Sequence, residues 1–223
     1  MSRTLLEVKN LSIGHDGKDL FSGMNFDICE GDCIMLCGAN GSGKSTLLRA
    51  LSRMDDRIVL IPSRIPKIFG FTLSEFVRLC CFSQSDMGGR LPEKLESKLE
   101  HALERLGLSA LAGRDISTLS DGEFQKACIA SALVREASII LLDEPTAFLD
   151  AESRISVLST LRSLSSEKAI IFSTHDLHEG AKAATRVFAL GADGQFRCSE
   201  SNEATGGKEL ISTIFSDSAI YHF

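Results

Sequence analysis

Positive charge is scarce in this chain. Its 223 residues carry 24 Lys and Arg against 30 Asp and Glu, a net charge of −6. That balance gives no basic face for a phosphate backbone, so nucleic acid is not an expected partner. Long hydrophobic runs are missing as well. None approaches the ~20 residues needed to span a bilayer, and Met1 to Asn10 contains no signal-peptide hydrophobic segment. The chain is therefore expected to be made and kept in the cytosol, with membrane attachment supplied only by a partner. Cysteine chemistry is thin. The seven cysteines (29, 33, 37, 80, 81, 128 and 198) are odd in number, form no Cys-x-x-Cys pair and have no His at zinc-like spacing. They read as small buried hydrophobes in a reducing compartment. There is no internal repeat and no low-complexity tract, so a repeat architecture is not expected.

What is present is an ordinary globular composition, 43% hydrophobic and 24% charged. The length suits one compact α/β domain with a small helical insertion. Leu5–Val8, Met24–Ile28 and Cys33–Cys37 read as strands, with turns at Asp16-Gly17 and Glu30-Gly31-Asp32. A helix opens at Lys44, and Ile58–Ile61 is a further strand closed by Pro62. Residues 71–112 carry helical spacing and no strand signal, so they are expected to form a separate helical subdomain, with a stop at Gly107. A parallel-sheet rhythm follows: helix Gly122–Arg135, strand Ile139–Leu142, helix Ala151–Leu164, strand Ala169–Phe172, then a hairpin of Val187–Leu190 and Gln195–Cys198. Residues 199–207 are an expected loop and Lys208–Phe215 a last short helix.

The strongest chemical signal is Gly38-Ala39-Asn40-Gly41-Ser42-Gly43-Lys44-Ser45, which matches G-x-x-x-x-G-K-[ST] between a strand and a helix. The glycines let backbone N–H groups turn toward phosphate oxygens, and the helix N-terminus adds positive dipole. Gly38, Asn40, Gly41, Ser42, Gly43, Lys44, Ser45 and Thr46 are thus the expected residues for ATP, with Lys44 at the β- and γ-phosphates and the Ser45 hydroxyl on Mg²⁺. The second signal is Ile139-Ile140-Leu141-Leu142-Asp143-Glu144, a buried strand that delivers two carboxylates at its C-terminal edge, where open α/β sheets bind ligands. Asp143 suits the Mg²⁺ shell and Glu144 suits polarising an attacking water.

With these motifs in order, the chain resembles the nucleotide-binding subunits of ABC transporters. Leu119-Ser120-Asp121-Gly122-Glu123 sits where that family has its Leu-Ser-Gly-Gly-Gln signature; by itself the segment also reads as a helix cap formed by Ser120 or Asp121. Ala147-Phe148-Leu149-Asp150 resembles the D-loop, which brings Asp150 into the set, and Thr174-His175-Asp176-Leu177 resembles the switch-histidine segment. The resemblance implies a P-loop NTPase core with an N-terminal antiparallel β subdomain and a helical signature subdomain. It makes residues 1–223 one ABC ATPase domain, with the helical part at about 69–136. It implies that Glu144 and His175 are catalytic, that Ser120 and the backbone near Gly122 contact ATP held by a second copy, and that the ATP-bound state is a homodimer.

Three positions depart from the family pattern. The signature has Asp121 and Glu123, and two acids beside a triphosphate are costly unless they point away. His15 stands where the family has an aromatic residue stacking on adenine, offering less area. Pro62-Ser63 replaces Pro-Gln, so Ser63 reaches Mg²⁺ and the attacking water only through another water. Gly70-Phe71-Thr72-Leu73-Ser74-Glu75-Phe76-Val77, His175-Asp176-Leu177 and the ending through Glu209-Leu210, Ile214-Phe215 and Ile220-Tyr221-His222 are similar to the ATPases of importers for iron chelates, haem and cobalamin. That resemblance implies an integral-membrane permease subunit as partner, a peripheral location on the inner face of the cell membrane, and a periplasmic or surface substrate-binding protein as a further candidate partner. Phe69, Phe71 and neighbours up to about Phe82 are expected to form part of the surface that receives the permease. An ABC exporter ATPase, a non-transport ABC ATPase and a P-loop kinase or GTPase are the alternatives.

Overall fold

The structure is a computed structural model that describes residues 2–15, 18–81 and 93–199, with only the backbone at 15, 93 and 94. The chain forms two compact units. One comprises Met1–Ser63, Ser138–Ala147 and Leu161–Phe223; the other comprises Arg64–Ala137 and Phe148–Thr160.

The first unit holds every described strand. β1 (Thr4–His15) and β2 (Lys18–Cys29) pair antiparallel, with register shifts that mark bulges. Both are longer than their apolar cores suggest, because exposed polar positions extend the pairing on either side. Toward its end β2 alternates, burying Met24, Phe26 and Ile28. The other six strands form one sheet: β3 (Cys33–Gly38), β4 (Ile58–Ile61), β5 (Ile139–Leu142), β6 (Ala169–Ser173), β7 (Arg186–Leu190) and β8 (Phe196–Cys198), in the order β4-β5-β6-β3-β7-β8. All neighbours are parallel except β7 and β8. Every residue of β3, β5, β6 and β7 is buried, in keeping with the near-continuous apolar runs of parallel strands. A single core cluster joins Phe26 and Ile28 of the hairpin to Leu36, Leu47, Leu141 and Phe188. The Arg186 guanidinium, 2.8 Å from Asp32 and 3.3 Å from Asp27, ties the start of β7 to the end of β2 and the turn after it.

Helix α1 (Lys44–Leu51) follows β3 and buries Leu47, Leu48 and Leu51. The second unit contains α2 (Leu73–Cys80), α3 (Glu93–Arg105), α4 (Asp121–Val134) and the first turns of α5 (Ala151–Leu164). Single 3₁₀ turns lie at Ser109–Leu111 and Ile116–Thr118. Gly107, with φ 69°, follows the end of α3 where the stop is expected. One helix of the first unit, α6 (Leu177–Ala183), is absent from the sequence-based reading. It has only seven residues, three of them charged or His, and is set by its cap: Asp176 accepts from Glu179 N.

Phe76 corrects one expectation. It is buried and packs on Phe124 at 5.3 Å between ring centroids, so it belongs to the core of the second unit. Phe69 is 84% exposed and Phe71 half-buried, while Phe82 lies outside the described residues. The cysteine expectation holds for Cys33, Cys37, Cys81 and Cys128, which are buried, and fails for exposed Cys198. Burial pushes the Cys33, Cys37 and Cys128 thiols up to about 12. The turn at Asp16-Gly17, the expected helix Lys208–Phe215 and the tail through His222 also lie outside the described residues. Among the described residues no helix is long and apolar enough to cross a membrane.

Candidate functional site

Three adjacent parallel strands of the first unit, β5, β6 and β3, end at one edge of the sheet. β3 runs into Gly38 and the loop that opens α1. A Cβ at Gly38 would lie 2.5 Å from Ser42 Oγ and 2.9 Å from Leu190 O, so only glycine lets the loop close there. Gly43, the α1 N-cap, has φ 98° and is the turn that aims the helix N-terminus back across the loop. Lys44 is buried, and its Nζ donates to Gly38 O at 2.9 Å and Ala39 O at 3.2 Å. Burial pulls the Lys44 ammonium below its ordinary pKa, opposed by Glu144 and Asp143. Ser45 and Thr46 are half-buried in the first turn, whereas Asn40 and Gly41 are exposed.

β5 delivers Asp143 and Glu144, and β6 delivers Ser173, Thr174 and His175. Leu142 pairs with Phe172, so Asp143 and Ser173 leave the sheet side by side. Ser173 is fully buried. Its Oγ donates to Asp143 Oδ1 at 2.9 Å and accepts from Glu144 N at 2.8 Å, so one hydroxyl holds both acidic residues. Glu144 has φ 51°, a left-handed conformation uncommon for a residue with a side chain. His175 Nε2 lies 2.9 Å from Glu144 Oε1. That oxygen is buried, and the imidazole is the ionisable group set against it. Burial raises the Glu144 pKa above that of an ordinary carboxylate; His175 and Lys44 counter the rise and Asp143 adds to it.

The edge thus gathers one buried ammonium, two carboxylates, an imidazole and a helix N-terminus. Ser42 Oγ is a buried polar atom with no hydrogen-bond partner. A polyanion fits this cradle. It would give Lys44 acceptors better than its own loop carbonyls and the Ser42 hydroxyl an acceptor. Among the described residues no group of three or more His, Cys, Asp or Glu could hold a metal ion alone. A hydroxyl and one carboxylate are what Mg²⁺ uses when phosphate oxygens complete its shell, and Ser45 and Asp143 are the residues that could supply such a pair. Ser173 was not foreseen from sequence; the signal was the pairing of β5 with β6, which puts the residue after Phe172 beside the residue after Leu142. The side chain of His15 lies outside the described residues, and Ser63 is exposed just after β4.

The second unit carries the remaining residues of interest. Ser120 is the N-cap of α4 in a capping box: its Oγ accepts from Glu123 N at 3.2 Å, and Glu123 Oε2 accepts from Ser120 N at 2.8 Å. Asp121 pairs with Lys67 at 2.7 Å. The two signature acids are therefore both engaged, one turned back as a cap and one ion-paired. Gly122 is buried against Ser153, and Asp150 caps α5 by accepting from Ser153 N at 2.8 Å and Ser153 Oγ at 3.0 Å. Those bonds hold the Asp150 carboxyl below its usual range.

The family model described as ABC transporter matches residues 21–147. The petrobactin import ATP-binding protein FpuD of Bacillus anthracis is 28% identical over 235 residues, spanning 94% of this chain and 86% of that protein. The aliphatic sulfonates import ATP-binding protein SsuB of Mycobacterium sp. (strain MCS) is 32% identical over 204 residues, spanning 87% and 82% respectively. A solved inward-facing structure, described as a metal-chelate type ABC transporter, superimposes with a TM-score of 0.83 at 27% identity, over 96% of this chain and 90% of that one. The likeness makes the sheet a P-loop NTPase fold. The family match runs over more than half of the chain and takes in the phosphate loop, Leu119–Glu123 and Asp143–Glu144; this chain belongs to the ABC transporter family as one of its ATP-hydrolysing nucleotide-binding domains.

Proposed function

We propose that the chain is the ATPase subunit of an importer that drives uptake of an iron chelate, haem or cobalamin through a separate integral-membrane permease. Import is supported by the names of both relatives above, and the chelate class by the petrobactin protein and the metal-chelate type structure. In this reading it works at the inner face of the cell membrane, and a periplasmic or surface substrate-binding protein delivers the cargo. Residues from about 69 to 136 act as the helical signature subdomain inserted in the ATPase core. Phe69, the most exposed large apolar side chain described there, supports a permease-facing surface.

The observation that carries the enzymatic reading is the convergence of Lys44, Asp143, Glu144 and His175 on adjoining strand ends, beside a buried Ser42 hydroxyl with no hydrogen-bond partner. The backbone from Gly38 to Thr46 cradles the phosphates, with Asn40, Gly41, Ser42 and Gly43 forming the loop. Lys44 leaves its loop carbonyls for the β- and γ-phosphates. Ser45 and Asp143 hold Mg²⁺, which when bound neutralises charge on those phosphates. His15 offers a face to adenine. Glu144, ionised, takes the proton of the attacking water, and His175 holds the Glu144 carboxylate and the γ-phosphate in register. Ser120 and Gly122 of a second copy close the site on the γ-phosphate, with Asp150 at the junction of the two copies.

Glu144→Gln tests site and assembly together. The amide keeps the shape and removes the base, so ATP binding persists while hydrolysis falls by about a hundredfold or more. With ATP and Mg²⁺ the variant elutes as a dimer in size-exclusion chromatography, and with ADP as a monomer. Wild-type turnover would remove Glu144 from the role of base. A variant that binds ATP yet stays monomeric would remove the two-copy site.

A further inference from the structure

The signature segment carries an acid that works against its proposed role, and the structure holds the compensating charge in a different loop. Asp121 opens α4, where a carboxylate favours the helix dipole but repels any second anion approaching the same N-terminus. Lys67 comes from the irregular segment between β4 and α2. Its Nζ donates to Asp121 Oδ1 at 2.7 Å and to Leu119 O at 2.7 Å, and it lies 5.6 Å from the centre of the Phe124 ring. The Lys67 side chain is only 24% exposed although Asp121 is 59% exposed, so the cation is held in place by its packing while its partner faces solvent. Phe124 in turn rests on Phe76 of α2. Glu123 is held differently: its carboxylate is folded back onto Ser120 N, with Arg114 and Lys126 as the nearby cations.

We propose that Lys67 is a positioning residue for ATP closure. Its ammonium cancels the Asp121 carboxylate, so that Ser120 and the α4 N-terminus accept the γ-phosphate held by a second copy. The proposal rests on the two-copy reading above. It also gives the loop after β4 a way to influence closure that does not use Ser63.

The test measures, by sedimentation, the ATP concentration that half-dimerises Glu144→Gln, alone and combined with Lys67→Ala, Lys67→Arg, Ser120→Ala or Lys67→Ala/Asp121→Asn. At about 50 mM salt, Lys67→Ala raises that concentration about tenfold, and at about 300 mM the increase shrinks because the exposed carboxylate is screened. Lys67→Arg and the Lys67→Ala/Asp121→Asn pair recover the Glu144→Gln value. ADP affinity of the monomer and the thermal midpoint of Lys67→Ala stay near those of the parent. Failure of Asp121→Asn to recover dimerisation, or an effect of Lys67→Ala that ignores salt, overturns charge cancellation. A Glu144→Gln chain that never dimerises overturns the two-copy reading instead, and one that dimerises equally well with Ser120→Ala overturns the assignment of Ser120 to the γ-phosphate.

Discussion

The phosphate-facing edge of the first unit and the capped end of α4 in the second unit are both built around serine and carboxylate, yet on opposite physical terms. At the sheet edge Ser173 is fully buried, Asp143 and Lys44 nearly so, and burial moves the pKa values of Lys44 and Glu144. At the α4 end Ser120, Asp121 and Glu123 meet solvent and are held by a capping box and one ion pair. A buried constellation gains electrostatic strength from its low dielectric and loses heavily when one member is removed. An exposed one is weaker per contact and sensitive to salt, which suits the surface proposed to engage and release a second copy.

Ser173→Ala should break the buried side of this comparison most severely. Asp143 Oδ1 loses its donor and Glu144 N its acceptor in a dry site, a penalty of about 1–3 kcal/mol in unfolding free energy. The Asp143 carboxylate and the Glu144 backbone lose their common tether, so ATPase turnover should fall about tenfold or more while ADP binding, proposed to use the phosphate loop, changes little. Denaturant unfolding and steady-state turnover read the two effects. Loss of neither would show that the strand ends alone position the acids.

The sheet edge also has a pH signature that the α4 end lacks. Glu144 has a raised pKa, so the proposed base loses its charge at a higher pH than an ordinary carboxylate. The acid limb of kcat/KM should therefore lie above 4.5, the value of an unperturbed Glu. His175 lowers the Glu144 pKa, so His175→Ala should move the limb of its residual activity further upward. Stability has the opposite sign. A carboxyl whose folded pKa is raised contributes stability below its unfolded pKa and loses that contribution as pH rises through the folded value. Glu144→Gln should accordingly be more stable than wild type at neutral pH. A limb at the ordinary carboxylate position, with no gain in stability for the Gln variant, would place Glu144 in a wetter site.

Much of the sheet edge is legible in the sequence because each part has its own local code. The phosphate loop is a contiguous motif, and Asp143-Glu144 ends an unbroken apolar run. Ser173 and Lys67 are not legible, because each acts through a residue distant in sequence: Ser173 reaches Asp143 across a strand pairing, and Lys67 reaches Asp121 across more than fifty positions. The expected permease surface up to about Phe82 takes in Phe76, yet Phe76 shares its helical spacing with Leu73 and Val77, and all three are buried, with Phe76 on Phe124. The short helix α6 is missed because its stabilisation comes from Asp176 as cap and from burial of Leu177, Gly180 and Ala183, not from a long periodic face.

The mildest intervention sharpens the comparison by removing a cap that has no chemical task. Thr72 opens α2 as Ser120 opens α4, with the same reciprocal box: Thr72 Oγ1 accepts from Glu75 N at 3.3 Å, and Glu75 Oε2 accepts from Thr72 N at 2.8 Å. Thr72→Ala removes the hydroxyl and leaves the fold's other contacts, so it should lower stability by about 1 kcal/mol, within the range for loss of a threonine cap. Turnover at saturating ATP and the ATP dependence of the Glu144→Gln dimer should remain within about twofold of their parents, because no phosphate is assigned to the α2 N-terminus. Ser120→Ala should cost similar stability but weaken dimer formation as well. The two caps share the reciprocal box, and Thr72 Oγ1 also donates to Glu75 Oε2 at 2.8 Å, so the gap between the variants in the dimer assay, read beside their stabilities, reports the contribution of Ser120 to the phosphate. Equal behaviour of the two would mean that Ser120 is a helix cap and nothing more, and would leave only the backbone of the α4 end to meet nucleotide.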